Sequence, residues 1–224
     1  MKAKVIVGAT AMVLIFISII ALVFYAPEEK TMGIIQKIFY FHVASAWVGF
    51  LAFAVVFVLS ILFLAKKKFI YDAWAYSSAE IGVLFTSLVL VTGPFWAKGA
   101  WNIWWTWDAR LTTTLILWLI YIGYLLLRQM IDSPEKAARI CAVFGIIGFV
   151  DVPIVYGAIR WWRTMHPKYV VIMGGENSGL HPKMLQVLII SVIAFTFLYL
   201  TLLLLRVDLE KSRQQLDYLK SQLQ

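Results

Sequence analysis

The sequence predicts an all-α integral membrane protein, a bundle of six transmembrane helices with both termini in the cytoplasm. Of its 224 residues, 62% are hydrophobic and only 14% are charged, and the mean hydropathy is +0.84. Soluble domains contain about half apolar and about a quarter charged residues. The composition therefore excludes a soluble globular protein, a disordered chain and a nucleic-acid-binding protein.

Six apolar segments are long enough to cross a bilayer, whose hydrocarbon core of about 30 Å needs about 20 helical residues. The first segment follows two lysines, as in a signal peptide, but its apolar run is longer than an h-region of about 7–15 residues. We therefore expect it to remain as a span. Before the fifth segment, Ser133-Pro134-Glu135 is typical of an N-cap and first helical turn. The predicted spans are about residues 5–25, 42–65, 74–95, 110–127, 137–158 and 184–205.

The distribution of lysine and arginine predicts the orientation. Twelve of these residues fall on the side of the termini, including the cluster Lys66–Lys68, and eight fall on the other side. Cytoplasmic loops carry the excess, so the outer loops are about residues 26–41, 96–109 and 159–183. The net charge of +8 then reflects topology and not a phosphate-bearing partner.

The C-terminal segment is polar and is predicted to leave the membrane. Leu209, Leu216 and Leu223 are spaced seven apart in residues 207–224, which is typical of an amphipathic helix. We expect a cytoplasmic helical tail after a membrane domain of residues 1–206. A solvated tail and a partner-binding helix both remain open.

The second outer loop concentrates tryptophan. Five of the ten tryptophans, at positions 96, 101, 104, 105 and 107, fall within twelve residues. Positions 101, 104, 105 and 108 follow the spacing i, i+3, i+4 and i+7, which predicts an interfacial helix with one aromatic face. Asp108 and Arg110 would edge that face. An aromatic belt at the headgroups is the alternative; a flat apolar ligand such as a quinone or a porphyrin would stack on the indoles.

His42 opens the second span, His166 lies within the last outer loop and His181 comes just before the sixth span. Loops one, three and five of a six-span chain share one membrane face, so all three histidines fall on that face. Two neutral imidazoles can ligate one haem iron, and His42 and His166 both adjoin aromatic runs. Arg160 and Arg163 flank Trp161-Trp162, and are candidates to bind haem propionates. His181 lacks aromatic neighbours, and we expect a polar interface residue there. No histidine lies mid-span, which disfavours a membrane cytochrome b.

Three segments resemble those of a known family. Residues 101–112 read W-N-I-W-W-T-W-D-A-R-L-T, His42 follows Phe39-Tyr40-Phe41, and residues 161–166 read W-W-R-T-M-H. Together they resemble the haem-handling membrane proteins with a tryptophan-rich "WWD" signature, and best match the cytochrome c maturation protein C family (CcmC, haem exporter protein C). Asn102 stands where that family usually has glycine.

The resemblance implies a function and a set of roles. Haem b would be held at the outer face of the cytoplasmic (inner) membrane, with His42 and His166 as axial ligands. Arg110 would contact a propionate or anchor a helix. The haem would pass to a chaperone, CcmE, for c-type cytochrome biogenesis, beside the ABC-type pair CcmA and CcmB and the small protein CcmD. The platform and partner contact would comprise Trp101, Trp104, Trp105, Trp107 and Asp108.

Two other functions are carried as alternatives. The chain contains no P-loop, so we expect a transfer protein and not an enzyme that hydrolyses ATP. A channel or transporter subunit would use the tryptophans as a belt and the intramembrane carboxylates Glu80 and Asp151 as a path. A purely structural subunit of an ABC assembly is the third possibility. Whether haem crosses the bilayer through this chain, and in which redox state, stays open.

Overall fold

A computed structural model describes residues 2–30, 32–166 and 180–221, whose regular structure is helical. Helix α1 continues as one π-helical turn over Ala21–Tyr25, and a short 3₁₀ helix over Ile34–Lys37 leads into α2. The helices are α1 (Lys2–Ile20), α2 (Ile38–Lys66), α3 (Phe69–Trp101), α4 (Ala109–Met130), α5 (Pro134–Phe149), α6 (Asp151–Trp161) and α7 (Pro182–Ser221).

Six helical segments are long and apolar enough to cross a membrane, which confirms the predicted six-span bundle. Each predicted apolar segment lies within one of them, and the helices run further at most ends because polar residues continue or cap the last turns. Ser133 Oγ accepts a hydrogen bond from the Lys136 N–H at 3.4 Å at the start of α5, as predicted. The segments are Lys2–Tyr25, Ile34–Lys66, Phe69–Trp101, Ala109–Met130, Pro134–Trp161 and Pro182–Leu216.

The fifth span is interrupted. Helix α5 ends at Phe149 and α6 begins at Asp151, with Val150 between them. Pro153, in the first turn of α6, has no N–H to donate to the carbonyl of residue 149, which removes one helical hydrogen bond at this break. The break leaves Asp151 buried, with 9% of its surface exposed, at the start of α6.

Helices α2 and α3 form the centre of the bundle. They pack along most of their length; α1 and α7 lie on one side, and α4, α5 and α6 on the other. Phe53 stacks on Tyr121 with ring centroids 3.7 Å apart. Gly82 permits this packing, since a Cβ there would lie 2.5 Å from the Phe53 ring.

An ion-pair network ties three helices together at one end of the bundle. Its members are Asp72 and Glu80 of α3, Arg128 of α4, and Arg206 and Glu210 of α7. The Arg128 guanidinium donates two hydrogen bonds to the Asp72 carboxylate, at 2.7 and 2.5 Å. Arg206 Nε lies 2.5 Å from Glu80 Oε2, so the intramembrane carboxylate noted in the sequence is paired.

The predicted interfacial tryptophan helix is wrong. Helix α3 runs to Trp101, and residues 102–108 are not helical. Asn102 adopts a left-handed conformation (φ 59°, ψ 23°) that ends α3, and Asp108 caps the start of α4. Because α3 ends at Asn102 and α4 begins after Asp108, the few residues between them are too short to form a separate helix.

Helix α7 continues past the predicted span without a break as far as Ser221. The division at residue 206 therefore has no counterpart in the helix itself. The exposed Leu209 and Leu216 lie on this extension, and the predicted Leu223 lies outside the described residues. The cytoplasmic tail stays a prediction.

Candidate functional site

A cleft opens between α2, α3 and α4, at the end of the bundle opposite the ion-pair network. Its empty space is about 920 Å³ when the open solvent at the mouth is included. Its lining comprises His42, Ala46, Gly49, Phe50, Thr86, Val89, Leu90, Gly93, Pro94, Trp96, Ala97, Trp101, Ile103, Trp105, Thr106, Asp108, Arg110, Leu111, Thr114, Leu117, Met165 and His166.

The two histidines predicted to act together line this same cleft, although 124 positions separate them in the chain. Helix α2 carries His42 in its second turn, and the backbone N–H of His166 donates to Thr164 Oγ1 at 3.1 Å. His166 and Arg110 both interact electrostatically with His42. The fold therefore brings the two imidazoles to one site.

A hydrogen-bond relay sets the tautomer of His42. Thr92 Oγ1 donates its proton to the Leu88 carbonyl at 2.7 Å, as threonines in helices often do. The same oxygen lies 3.0 Å from His42 Nδ1 and can only accept there. His42 Nδ1 is thus the protonated nitrogen, and the lone pair lies on Nε2. This arrangement is typical of metal-ligating histidines, whose second nitrogen donates to a neighbouring acceptor.

The His42 ring packs closely against the backbone of Gly93. A Cβ on Gly93 would lie 3.4 Å from His42 Cε1 and 4.0 Å from Nδ1. A larger side chain would press on the imidazole. The sequence analysis missed both Thr92 and Gly93; the polar and small run Thr92-Gly93-Pro94 inside an apolar span was the available signal.

The tryptophans divide between the cleft wall and the surface. Trp101 and Trp105 line the cleft, together with Trp96, which the sequence analysis did not place at the site. Trp96 packs edge-on against Trp101 with ring centroids 5.1 Å apart. The indole nitrogens of Trp96 and Trp105 are buried and find no hydrogen-bond acceptor within the described residues.

Several predicted site residues lie outside the cleft lining in the described part of the chain. Trp104 packs edge-on against Phe95 with ring centroids 5.6 Å apart, and Arg160 and Arg163 are exposed. Their haem-binding roles stay predictions. The tryptophans of this exposed group, with their exposed fractions, are Trp104 (52%), Trp107 (75%), Trp161 (61%) and Trp162 (51%).

Asp108 serves as the N-cap of α4. Its Oδ1 accepts hydrogen bonds from the backbone N–H groups of Arg110 at 2.9 Å and Leu111 at 3.1 Å. Its Oδ2 accepts from Thr106 Oγ1 at 3.1 Å. Capping orders the segment that carries Trp105 over the cleft, since it joins residues 106–108 to the rigid helix.

Arg110 anchors α4 to α6. Its Nη1 donates to the Val155 carbonyl at 3.2 Å, while its side chain also lines the cleft. The two roles that the sequence left open for Arg110 are thus compatible. His181 lies elsewhere: its Nδ1 accepts from the Lys183 N–H at 3.2 Å, at the start of α7.

The comparisons with known proteins agree on one family. The family described as Heme exporter protein C matches residues 1–222. Heme exporter protein C of Bradyrhizobium diazoefficiens is 39% identical over 178 residues, which are 79% of this chain and 67% of that protein. The protein of the same name from Rhodobacter capsulatus is 32% identical over 198 residues, 88% of this chain and 81% of that protein.

A relative outside the bacteria is also similar. A putative cytochrome c biosynthesis ccmC-like mitochondrial protein of Marchantia polymorpha is 35% identical over 176 residues, 79% of this chain and 74% of that protein. The family match covers the spans and the cleft residues together. The chain therefore belongs to the Heme exporter protein C (CcmC) family.

Proposed function

We propose that this chain binds haem b as its cargo in the cleft and presents it to a periplasmic haem chaperone of the CcmE type, for c-type cytochrome biogenesis. One observation carries the proposal: His42 and His166 line the same cleft as Trp101 and Trp105. The axial ligands would be His42 Nε2 and an imidazole nitrogen of His166. The family name supports haem handling as the general function.

The residues of the cleft fit a haem in three ways. The lone pair on His42 Nε2 is the donor that haem iron binds. Trp101 and Trp105 offer apolar rings for stacking. The buried indole N–H groups of Trp96 and Trp105, which lack an acceptor among the described residues, would be satisfied by carboxylate oxygens of the ligand.

Each protein group would contribute binding or orientation, and the reactivity of the bound haem would belong to its own vinyl groups and iron. Thr92 holds the His42 ring in its ligating tautomer. Asp108 orders the loop above the cleft through the α4 cap. Arg110, next to the mouth, supplies positive charge for a propionate. The chaperone would dock on exposed indoles, for which the candidates are Trp104, Trp107, Trp161 and Trp162.

The cleft faces the periplasm in this proposal. An even number of spans puts both chain ends on one side, and the lysine and arginine bias favours the cytoplasm for that side. The protein would be a multi-pass protein of the inner membrane. ATP hydrolysis would come from an ABC-type pair, CcmA and CcmB, with CcmD as a further subunit; this chain would act without hydrolysis of its own.

The channel alternative loses one of its supports. Glu80 is paired with Arg206 in the ion-pair network, so its carboxylate contributes to packing between α3 and α7. No second function is proposed on the remaining carboxylate, Asp151, alone.

A haem titration of the purified protein in detergent tests the proposal. We expect a low-spin absorbance spectrum of an iron with two imidazole ligands, and its loss or conversion to a high-spin form in His42→Ala and in His166→Ala. His181→Ala is the matched control, because His181 lies at the start of α7 and not in the cleft. An unchanged haem content and spectrum in both cleft variants would overturn the ligand assignment.

A further inference from the structure

A methionine in the cleft lining offers a further ligand for haem iron. Met165 lines the cleft and directly precedes His166 in the chain. A methionine sulfur ligates haem iron opposite a histidine in cytochromes c. The other side chains that haem proteins use as axial ligands are cysteine and tyrosine, and neither occurs among the described residues of the lining. The cleft therefore offers one ligand beyond the two histidines.

A turn lets Met165 and His166 face the same cleft. Helix α6 ends at Trp161, and Trp162 is extended, with φ −127° and ψ 159°. In an extended chain, successive side chains point in opposite directions. Here the His166 N–H donates to Thr164 Oγ1 at 3.1 Å, which is a side-chain turn. Both residues that follow Thr164 line the cleft as a result.

The two histidines differ in how the fold holds them. His42 belongs to α2, and its ring is hydrogen-bonded to Thr92. Met165 and His166 lie in a non-helical segment. Met165 is 44% exposed, and its unbranched side chain has several rotatable bonds. Exchange of His166 for Met165 as a ligand can therefore take place while His42 keeps its position.

We propose that Met165 is an alternative axial ligand, which replaces His166 when the haem iron is reduced. A thioether is a soft ligand and favours the lower oxidation state of a metal, and histidine–methionine ligation accordingly raises the potential of a haem. On reduction, the Fe–N bond to His166 breaks and an Fe–S bond to Met165 forms. The electron comes from an external one-electron donor, and neither side chain is itself oxidised or reduced.

This inference rests on the proposed function and adds a redox-dependent change of ligand at the same site. Ferric haem would be held by His42 and His166, and ferrous haem by His42 and Met165. The oxidation state of the iron would thus decide whether the His166 imidazole is bound or released.

Spectra of haem-loaded variants in both oxidation states test the exchange. We expect His166→Ala to be high-spin when ferric and to become low-spin on reduction with dithionite, because Met165 then ligates the iron. The double variant His166→Ala/Met165→Leu should stay high-spin in both states. A high-spin ferrous spectrum in His166→Ala, or a low-spin one in the double variant, would overturn the proposal.

The protein with both histidines intact gives two further measurements. With isotope-labelled methionine methyl groups, ferrous haem should shift one methyl resonance far upfield through the porphyrin ring current, and Met165→Leu should remove that resonance. A tenfold preference of ferrous iron for the sulfur corresponds to about 59 mV, so the midpoint potential should fall by at least that amount in Met165→Leu. Met130→Leu is the matched control, because Met130 is 77% exposed at the far end of α4 from the cleft, and it should change neither measurement.

The outcomes distinguish this inference from the proposed function. If the ferric wild-type protein shows no low-spin spectrum that depends on both histidines, the proposed function fails and this inference falls with it. If that spectrum is present but Met165→Leu changes neither the potential nor the methyl resonances, the histidine site stands and the exchange is wrong. Helix content by circular dichroism and a monodisperse elution profile establish that each variant is folded.

Discussion

At the residue scale, a single hydroxyl group determines which nitrogen of His42 can bind a metal. The hydroxyl belongs to Thr92 of α3, which is 50 residues from His42 in the sequence. Its proton is held by the Leu88 carbonyl, so the imidazole must donate from Nδ1. The ligating nitrogen is thereby selected before any ligand arrives.

Replacing Thr92 tests this relay. Thr92→Val keeps the shape but removes the acceptor, and we expect haem affinity to fall about 10–100-fold, the usual cost of losing such an outer partner. Thr92→Ser keeps the hydroxyl and should retain near wild-type affinity. Both are measured by haem titration. Equal affinities for the two variants would contradict the assigned tautomer.

The backbone conformation at Asn102 suits the residue that stands there. Its φ of 59° is left-handed, a conformation that glycine and, next, asparagine adopt most readily. The side chain adds a contact, since Lys98 Nζ donates to Asn102 Oδ1 at 2.6 Å.

Two substitutions at this position separate backbone from side chain. Asn102→Gly loses the contact with Lys98 but keeps the left-handed turn, so we expect near wild-type stability. Asn102→Val loses both and should lower the free energy of unfolding by about 1–2 kcal/mol. Denaturation in mixed detergent micelles measures both. A glycine variant as unstable as the valine variant would show that the Lys98 contact, and not the backbone, matters.

At the element scale, the start of α4 links stability to the site. Asp108 satisfies two backbone N–H groups of the first turn, and the same segment carries Trp105. The aromatic spacing over residues 101–108 matches a helix, but the same i, i+3, i+4 spacing can also arise in an irregular segment. The helix prediction for these residues was therefore wrong. Aspartate just before an apolar run is also an N-cap signal, and it marked the true beginning of α4.

The cap predicts different outcomes for two substitutions of Asp108. Asp108→Asn keeps an acceptor and should retain stability, whereas Asp108→Ala should lower the free energy of unfolding by about 1 kcal/mol and weaken haem binding. Haem transfer to the chaperone is the second measurement. If Asp108→Asn is as stable as the wild type but transfers no haem, the negative charge has a role in docking beyond the cap.

At the scale of the whole molecule, the two ends of the bundle differ in structure. One end holds the cleft, open between α2, α3 and α4. The other end holds the ion-pair network, in which the Tyr76 ring centroid lies 5.2 Å from Arg128 Cζ and 5.5 Å from Arg206 Cζ. The network joins α3, α4 and α7 at the end of the bundle opposite the cleft.

Breaking this network should destabilise the whole bundle. Asp72→Asn removes the nearest negative charge from the buried Arg128, whose next carboxylate, Glu210, is 3.9 Å away, and we expect the free energy of unfolding to fall by about 3 kcal/mol. Asp72→Leu combined with Arg128→Leu should cost less, because no unpaired charge remains. Lys4→Ala, which removes the exposed pair with Asp208, is the control and should change little. If Asp72→Asn behaves like Lys4→Ala, the network does not hold the bundle together.

Patterns in the sequence are enough to predict the class of fold, the number of spans and a common membrane face for the two histidines. These predictions follow from local properties: a bilayer requires about 20 apolar residues per helix, and odd loops must share a side. Only the folded chain shows that Trp96, Trp101 and Trp105 wall the cleft while Trp104 and Trp107 do not, and that Thr92 contacts His42. Such choices depend on how side chains from distant segments pack, and no pattern within one segment records its neighbours.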